Sequence, residues 1–314
     1  TSYLDLARYP WQRNSAVAVD DMNLEVRQGE LFGLLGENGA GKTTLIRMLS
    51  TTLLPTSGRA VVGGHDVVQE PLSVRRIIGL VSGDERTFYW RLTGRQNLRY
   101  FAALYHLPRH AATARITQVL NALGVADYAD RRFDSYSTGT RQKFAIARGM
   151  LTEPPVLFLD EPTRALDPIA ADELRRHVAD HIVRELGYTV LLATHTLTEA
   201  EAICHRIAII RNGRLIETGT MDELRSRMGL STVVELVLRG RTDWLEDAVH
   251  TISGVESVAG LDDGGDRTRV TIILRDTERL MSALLRVILD TGGQIEECNT
   301  RRPTLDDIYR AAHA

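Results

Sequence analysis

The run Gly36-Glu-Asn-Gly-Ala-Gly41-Lys42-Thr43 fits the spacing GxxxxGK[ST]. It lies between the apolar run Leu31–Leu35 and an apolar helical stretch, the setting in which this spacing forms a phosphate loop. Glycines let backbone N–H groups close around phosphate oxygens, and the helix that follows aims its positive end at them. Asn38, Gly39, Gly41, Lys42, Thr43 and Thr44 are therefore expected to hold the phosphates of a nucleotide. Of the 38 Lys and Arg side chains, only Lys42 and Lys143 are lysines. A chain that uses arginine almost everywhere keeps lysine where a compact ammonium fits a tight loop and a planar guanidinium does not.

A second group follows at 156–161, where Val-Leu-Phe-Leu ends in Asp160 and Glu161. Two carboxylates at the end of a buried strand suit phosphate chemistry. Asp160 can serve a magnesium ion together with the hydroxyl of Thr43. Glu161, if extended geometry continues, points the other way and can polarise a water toward a terminal phosphate.

The elements that must carry these groups read as alternating strands and helices over residues 1–228, the pattern of an α/β domain with a largely parallel sheet. Buried-strand segments are Leu31–Leu35, 156–159, 190–193 and 207–210. Over about 91–150 the apolar spacing turns helical, as in Leu98, Phe101, Ala102 and Tyr105, which predicts an all-helical insertion. Asn212-Gly213 predicts a tight hairpin. The composition changes near 227–231. Residues 231–314 carry 10 Arg against 15 Asp and Glu, leaving 28 basic against 26 acidic residues before them. That tail reads strand, helix, strand, strand, helix, strand and a short helix from Thr304, a ferredoxin-like order.

The net charge of -3 and scattered arginine pairs argue against nucleic-acid binding, which shows as a basic stripe. The sequence has no run of 18 or more apolar residues, the length needed to cross a membrane, and the first residues carry no secretory pattern. Cys204 and Cys298 form no CxxC pair, which fits a reducing compartment and no zinc site. A GTPase reads guanine through Asn/Thr-Lys-x-Asp. Lys42 is in the phosphate loop and Lys143 precedes Phe144-Ala145, so that motif is absent.

The phosphate loop, the Asp160-Glu161 pair and several further runs resemble the nucleotide-binding subunits of ABC transporters. Tyr136-Ser137-Thr138-Gly139-Thr140 is similar to the family's Leu-Ser-Gly-Gly-Gln signature, matching at Ser137 and Gly139. Arg164-Ala165-Leu166-Asp167 is similar to its D-loop, matching at Leu166 and Asp167. The resemblance implies a P-loop ABC ATPase core with an inserted helical subdomain, followed by a small C-terminal ferredoxin-like α+β domain at 231–314. It implies ATP and magnesium as cofactors and a head-to-tail dimer. In that dimer Ser137, Gly139 and Thr140 of one subunit cap the γ-phosphate bound by the other, and Asp167 reaches across. Glu161 and His195 are the implied catalytic pair, and Tyr9 is the implied adenine-stacking aromatic, with Trp11 competing. Where the family places a magnesium-contacting glutamine the chain reads Ser82-Gly-Asp84-Glu-Arg, so Asp84 is the nearest oxygen donor.

The segment from Asp84 to Leu98 and the ending Pro303-Thr-Leu-Asp-Asp-Ile-Tyr309 are similar to the drug, polyketide and lipid exporter branch, whose membrane subunits are separate chains. The resemblance therefore implies integral membrane permease partners, a second ATPase subunit, no nucleic acid, and a peripheral position on the cytoplasmic face of the membrane. The alternative is a free-standing ATPase that acts as a switch on another complex without transport. The tail reads as a dimer-stabilising or spacer module, or as a small-ligand regulatory domain.

Overall fold

The computed structural model describes residues 17–82, 87–228, 230–239, 245–250, 252, 254–262, 267–274 and 277–311. The elements run β1 (Leu31–Leu35), α1 (Lys42–Leu49), β2 (Val61–Val62), β3 (His65–Asp66), α2 (Pro71–Ile77) and β4 (Ile78–Ser82). The insertion follows as α3 (Gly94–Leu104), α4 (Arg109–Ala122) and α5 (Thr138–Gly149). Then come β5 (Val156–Asp160), α6 (Pro168–Arg176), β6 (Thr189–Thr194), α7 (Leu197–Ile203), β7 (Arg206–Arg211), β8 (Arg214–Gly219) and α8 (Met221–Arg227). Local chemistry sets several of the starts. Asp167 accepts from the N–H groups of Ile169 and Ala170 with Pro168 at the first helical position, and Thr93 and Gln96 form a reciprocal cap on α3.

Six strands form one sheet in the order β4-β5-β6-β1-β7-β8. It is parallel from β4 to β7, and β8 returns antiparallel through the Asn212-Gly213 turn. Both turn residues have positive φ, 49° and 80°, as a two-residue hairpin loop needs. All five positions of β1 are buried, because layers cover the sheet on both faces. One face packs Leu31, Leu157, Leu159 and Val190 against the helical insertion, with Phe133 and Phe144 at its centre. The other packs Phe32, Leu34, Phe158 and Leu191 against α1 and α2.

The register decides where the chemistry lies. Ser82 pairs with Asp160, Asp160 with Ala193, and Leu35 with Thr194. Four neighbouring strands therefore end at one edge, and the loops after β1, β5 and β6 leave the sheet side by side. Ligands of open parallel sheets bind at such an edge.

The tail forms a second sheet from β9 (Thr232–Arg239), β10 (Val255–Asp262), β11 (Arg267–Leu274) and β12 (Gln294–Arg301), with helices α9 (Leu245–His250) and α10 (Thr277–Asp290). Its order β10-β11-β9-β12, antiparallel throughout, is the ferredoxin-like arrangement that the element order predicts. Val234, Leu236 and Leu238 face its core from alternate positions of β9. The last helix, α11 (Leu305–Ala311), packs elsewhere. Leu305 and Ile308 are fully buried with Leu35, Ala200, Ile207, Ile209 and Leu224 beneath the ATPase sheet.

Candidate active site

The phosphate loop joins β1 to α1. Gly41 sits at φ 104°, and a Cβ there would lie 2.3 Å from the Ala18 carbonyl, so both backbone conformation and space demand glycine. Lys42, only 4% exposed, folds its ammonium back into the loop and donates to the carbonyls of Gly36 (2.6 Å) and Glu37 (3.0 Å). Burial pulls its pKa down, while the charges of Glu161 and Asp160 pull it up. Gly39 at φ 86° and Asn38 form the exposed crest of the loop, and Thr44 lies half-buried beside Thr43 on α1.

Thr43 donates its hydroxyl to Asp160 Oδ1 at 3.2 Å, across the gap between α1 and the end of β5. Burial pushes the Asp160 carboxyl up, the Thr43 hydrogen bond opposes this, and the Glu161 charge adds to it. A hydroxyl and a carboxylate side by side are hard oxygen donors of the kind magnesium takes. Among the described residues no three His, Cys, Asp or Glu side chains cluster to hold a metal by themselves. The pair therefore fits a magnesium that draws its other oxygens from phosphate and water. Asn38, Thr43, Asp160 and Glu161 line an open cleft of ≈ 860 Å³ whose other side includes Thr138 and Gln142 of α5.

Glu161 departs from the extended geometry expected for it. Its φ is 51°, so the chain turns sharply there, and its N–H donates to the Ala193 carbonyl at 2.9 Å. The turn swings the carboxylate toward β6, where Oε1 meets His195 Nδ1 at 3.1 Å. Left-handed backbone at a non-glycine residue costs energy and recurs at functional sites. Oε2 is buried without a hydrogen bond and lies 3.5 Å from the Arg164 guanidinium. Arg164, one of the two positions at which the D-loop run departs from the family, thus faces the side chain expected to polarise the attacking water.

Ser137 caps α5, accepting from the Thr140 N–H at 3.2 Å, and its hydroxyl also meets the Thr140 hydroxyl at 2.9 Å. Tyr136 replaces the signature's leucine with a buried phenol. That phenol accepts from the Gly94 N–H at 3.2 Å and donates toward the carbonyls of Tyr128 and Arg131. Burial raises its pKa to about 12. The signature is thereby tied to the start of α3. A Cβ at Gly139 would meet only Ala170 Cβ, at an ordinary 3.5 Å. Asp167 is engaged as the cap of α6. Tyr9, Trp11 and Asp84 lie outside the described residues.

One group without a warning in the sequence is Glu199, 1% exposed on α7. It accepts from Thr163 Oγ1 at 2.8 Å and from Thr194 Oγ1, so one buried carboxylate braces the loops that follow β5 and β6. Its only local signal is an acid within a helix that the sheet covers, and that becomes visible once the strand order is known.

A phosphate loop beside an acidic strand end, on a parallel sheet that carries a helical insertion, defines a nucleotide-hydrolysing protein of the ABC class. The ABC transporter family profile matches residues 19–164, and the profile described as "ATP-binding protein DrrA1-3-like, C-terminal domain" matches residues 219–312. The chain belongs to the ABC transporter family, as one of its ATP-binding, ATP-hydrolysing proteins. The daunorubicin resistance ATP-binding protein DrrA3 of Streptomyces coeruleorubidus is 39% identical over 292 residues, covering 93% of this chain and 90% of that one. The doxorubicin resistance ATP-binding protein DrrA of Mycobacterium tuberculosis is 37% identical, covering 97% of this chain and 91% of its own length. Among solved structures, an ATP-binding subunit of an ABC transporter is 31% identical with a TM-score of 0.57, covering 68% of this chain and 88% of that one. Likeness along nearly the whole chain to such proteins favours the transporter reading over the free-standing switch.

Proposed function

We propose that this chain drives an exporter whose membrane-spanning subunits are separate chains, by ATP-dependent closure of a head-to-tail pair of its ATPase domains. The proposed division places the ATPase domain at 1–228 and the αβ domain at 231–314. The observation that carries the reading is the state of the signature: Gly139 has room for a side chain within its own subunit, so its bareness serves something outside it. The cargo class suggested by the relatives' names is a drug of the daunorubicin or doxorubicin kind.

In this mechanism the loop N–H groups and Lys42 hold the phosphates and offset their charge. Thr43 and Asp160 hold magnesium, which when bound draws charge off the phosphate oxygens. Glu161 orients the attacking water and takes its proton, and His195 steadies Glu161 and the terminal phosphate. Ser137, Gly139 and Thr140 approach the nucleotide of the partner, and Asp167 caps the helix that presents the D-loop to it. ATP favours the closed pair because it touches both subunits only there.

Closure has a physical path outward. Arg141, on the signature helix, lies over the Trp90 ring at 4.4 Å. Tyr89, Trp90, Tyr100 and Tyr105 are partly exposed on the insertion, with the Tyr89 and Tyr100 rings edge to face at 4.9 Å. Among the described residues no helix is long and apolar enough to cross a membrane. In this reading the chain works at the cytoplasmic face, held by separate permease subunits that carry the translocation path. Detergent extracts of the source cells, captured through this chain, should yield an integral membrane protein in stoichiometric amount. Recovery of soluble proteins alone would favour the switch.

Asp160 provides a second check. Its folded pKa is raised, so its proton favours the fold below the ordinary carboxylate range, and that contribution is lost as pH rises through the raised value. At neutral pH the ionised side chain thus weighs against the nucleotide-free fold. Asp160→Asn should raise the nucleotide-free Tm by about 1–3 °C at pH 7, with the gain shrinking toward acid pH. The same variant should lose the extra Tm rise that magnesium gives with ATP. A parental magnesium response in differential scanning calorimetry would remove Asp160 from the metal site.

A further inference from the structure

The last helix of the chain reaches the phosphate loop. With seven residues, α11 is too short to persist alone, and packing must order it. Leu305 and Ile308, both 0% exposed, supply that packing in the cluster beneath β1 and β7. Polar contacts fix its entry: Arg225 Nε donates to the Pro303 carbonyl at 2.7 Å, and Glu201 accepts from the Leu305 N–H at 3.3 Å. Thr304 and Asp307 close its first turn on each other.

One residue past Ile308, the ring of Tyr309 lines a cavity of ≈ 400 Å³ together with Gly36, Glu37, Asn38, His195 and Leu197. Burial and the nearby Glu37 charge raise the pKa of the phenol, and a hydrogen bond with the Glu37 backbone opposes them. The Glu37 carbonyl accepts from Lys42 within the loop at 3.0 Å. The first peptide units of the phosphate loop are therefore held from inside by Lys42 and from outside by Tyr309. The helix follows β12 after only three residues, so a displacement of the four-stranded sheet has little slack before it reaches Tyr309.

We propose that Tyr309 is a positioning residue of the ATP site, through which the C-terminal αβ unit sets the nucleotide affinity and turnover of its own subunit. The inference deepens the nucleotide-site reading and rests on it. Coupling of this kind is reciprocal, so ATP must order α11 as much as α11 favours ATP.

The test uses the full chain, its Tyr309→Phe and Tyr309→Ala variants, and magnesium-ATP as the probe. Phe keeps the ring and its packing, so the Tm should stay within about 1 °C of the parent while ATP binding weakens about 3–10-fold, the worth of one hydrogen bond. Tyr309→Ala should weaken binding at least as much and lower the Tm as well. In the parent, magnesium-ATP should slow amide exchange over residues 303–311, and in Tyr309→Phe that protection should shrink. A Tyr309→Phe protein with parental ATP affinity and turnover overturns the inference, as does exchange over 303–311 that ignores nucleotide in the parent. A parent that binds no ATP would instead overturn the reading on which the inference rests.

Discussion

Glu161→Gln should leave ATP binding intact, lower turnover by at least about 100-fold, and accumulate a dimer that forms only with magnesium-ATP. A positioned general base is worth about 10²–10⁴ in rate. The amide has the carboxylate's shape and can still meet His195, but it cannot take a proton from water. The backbone makes this side chain specific. Its φ of 51° and the hydrogen bond from its N–H to Ala193 set the direction of the carboxylate, and glutamine inherits both. The measurements are phosphate release and size-exclusion chromatography with and without nucleotide. A Gln variant that hydrolyses ATP at the parental rate would return Glu161 to a structural role and leave the buried Oε2 without a purpose.

Gly139→Asp should abolish turnover, a loss of about 100-fold or more, in a protein that folds normally and still binds ATP as a monomer. The second position of α5 tolerates an acid well, since a carboxylate there complements the helix dipole. Its Cβ meets Ala170 at only an ordinary contact distance, so the Tm should hold or rise slightly. The defect would arise between subunits, where the new charge faces the partner's nucleotide and replaces a favourable helix end with repulsion. Gly139→Ala, which adds a methyl group without charge, should show a smaller defect of the same kind. Dimerisation by light scattering with magnesium-ATP separates the outcomes. Parental dimerisation and turnover in the Asp variant would remove the signature from the nucleotide interface.

Sequence and structure divide unequally over these residues. The hairpin at Asn212-Gly213, the helical insertion and the β-α order of the tail were legible because each rests on local periodicity or turn chemistry. Glu161 was legible in type and not in direction: apolar alternation cannot announce the single left-handed residue that turns it toward His195. The role of Tyr136 was hidden for a related reason. As sequence it departs from the family's leucine, and as structure its phenol bonds the opening of α3 and the carbonyls of residues that precede it.

By itself the sequence determined the phosphate loop, the acidic strand end after β5 and the cap of the signature helix. Each is a short contiguous run whose chemistry depends on backbone groups a few residues apart. Only the tertiary structure decided that Glu161 meets His195, that Glu199 braces two loops, and that Tyr309 reaches Glu37. Those contacts follow from the order β4-β5-β6-β1-β7 and its register, which set distant strand ends side by side, and from the burial of Leu305 and Ile308 beneath β1 and β7. No local spacing carries that order, because the pairing is chosen by how whole faces bury their apolar surface.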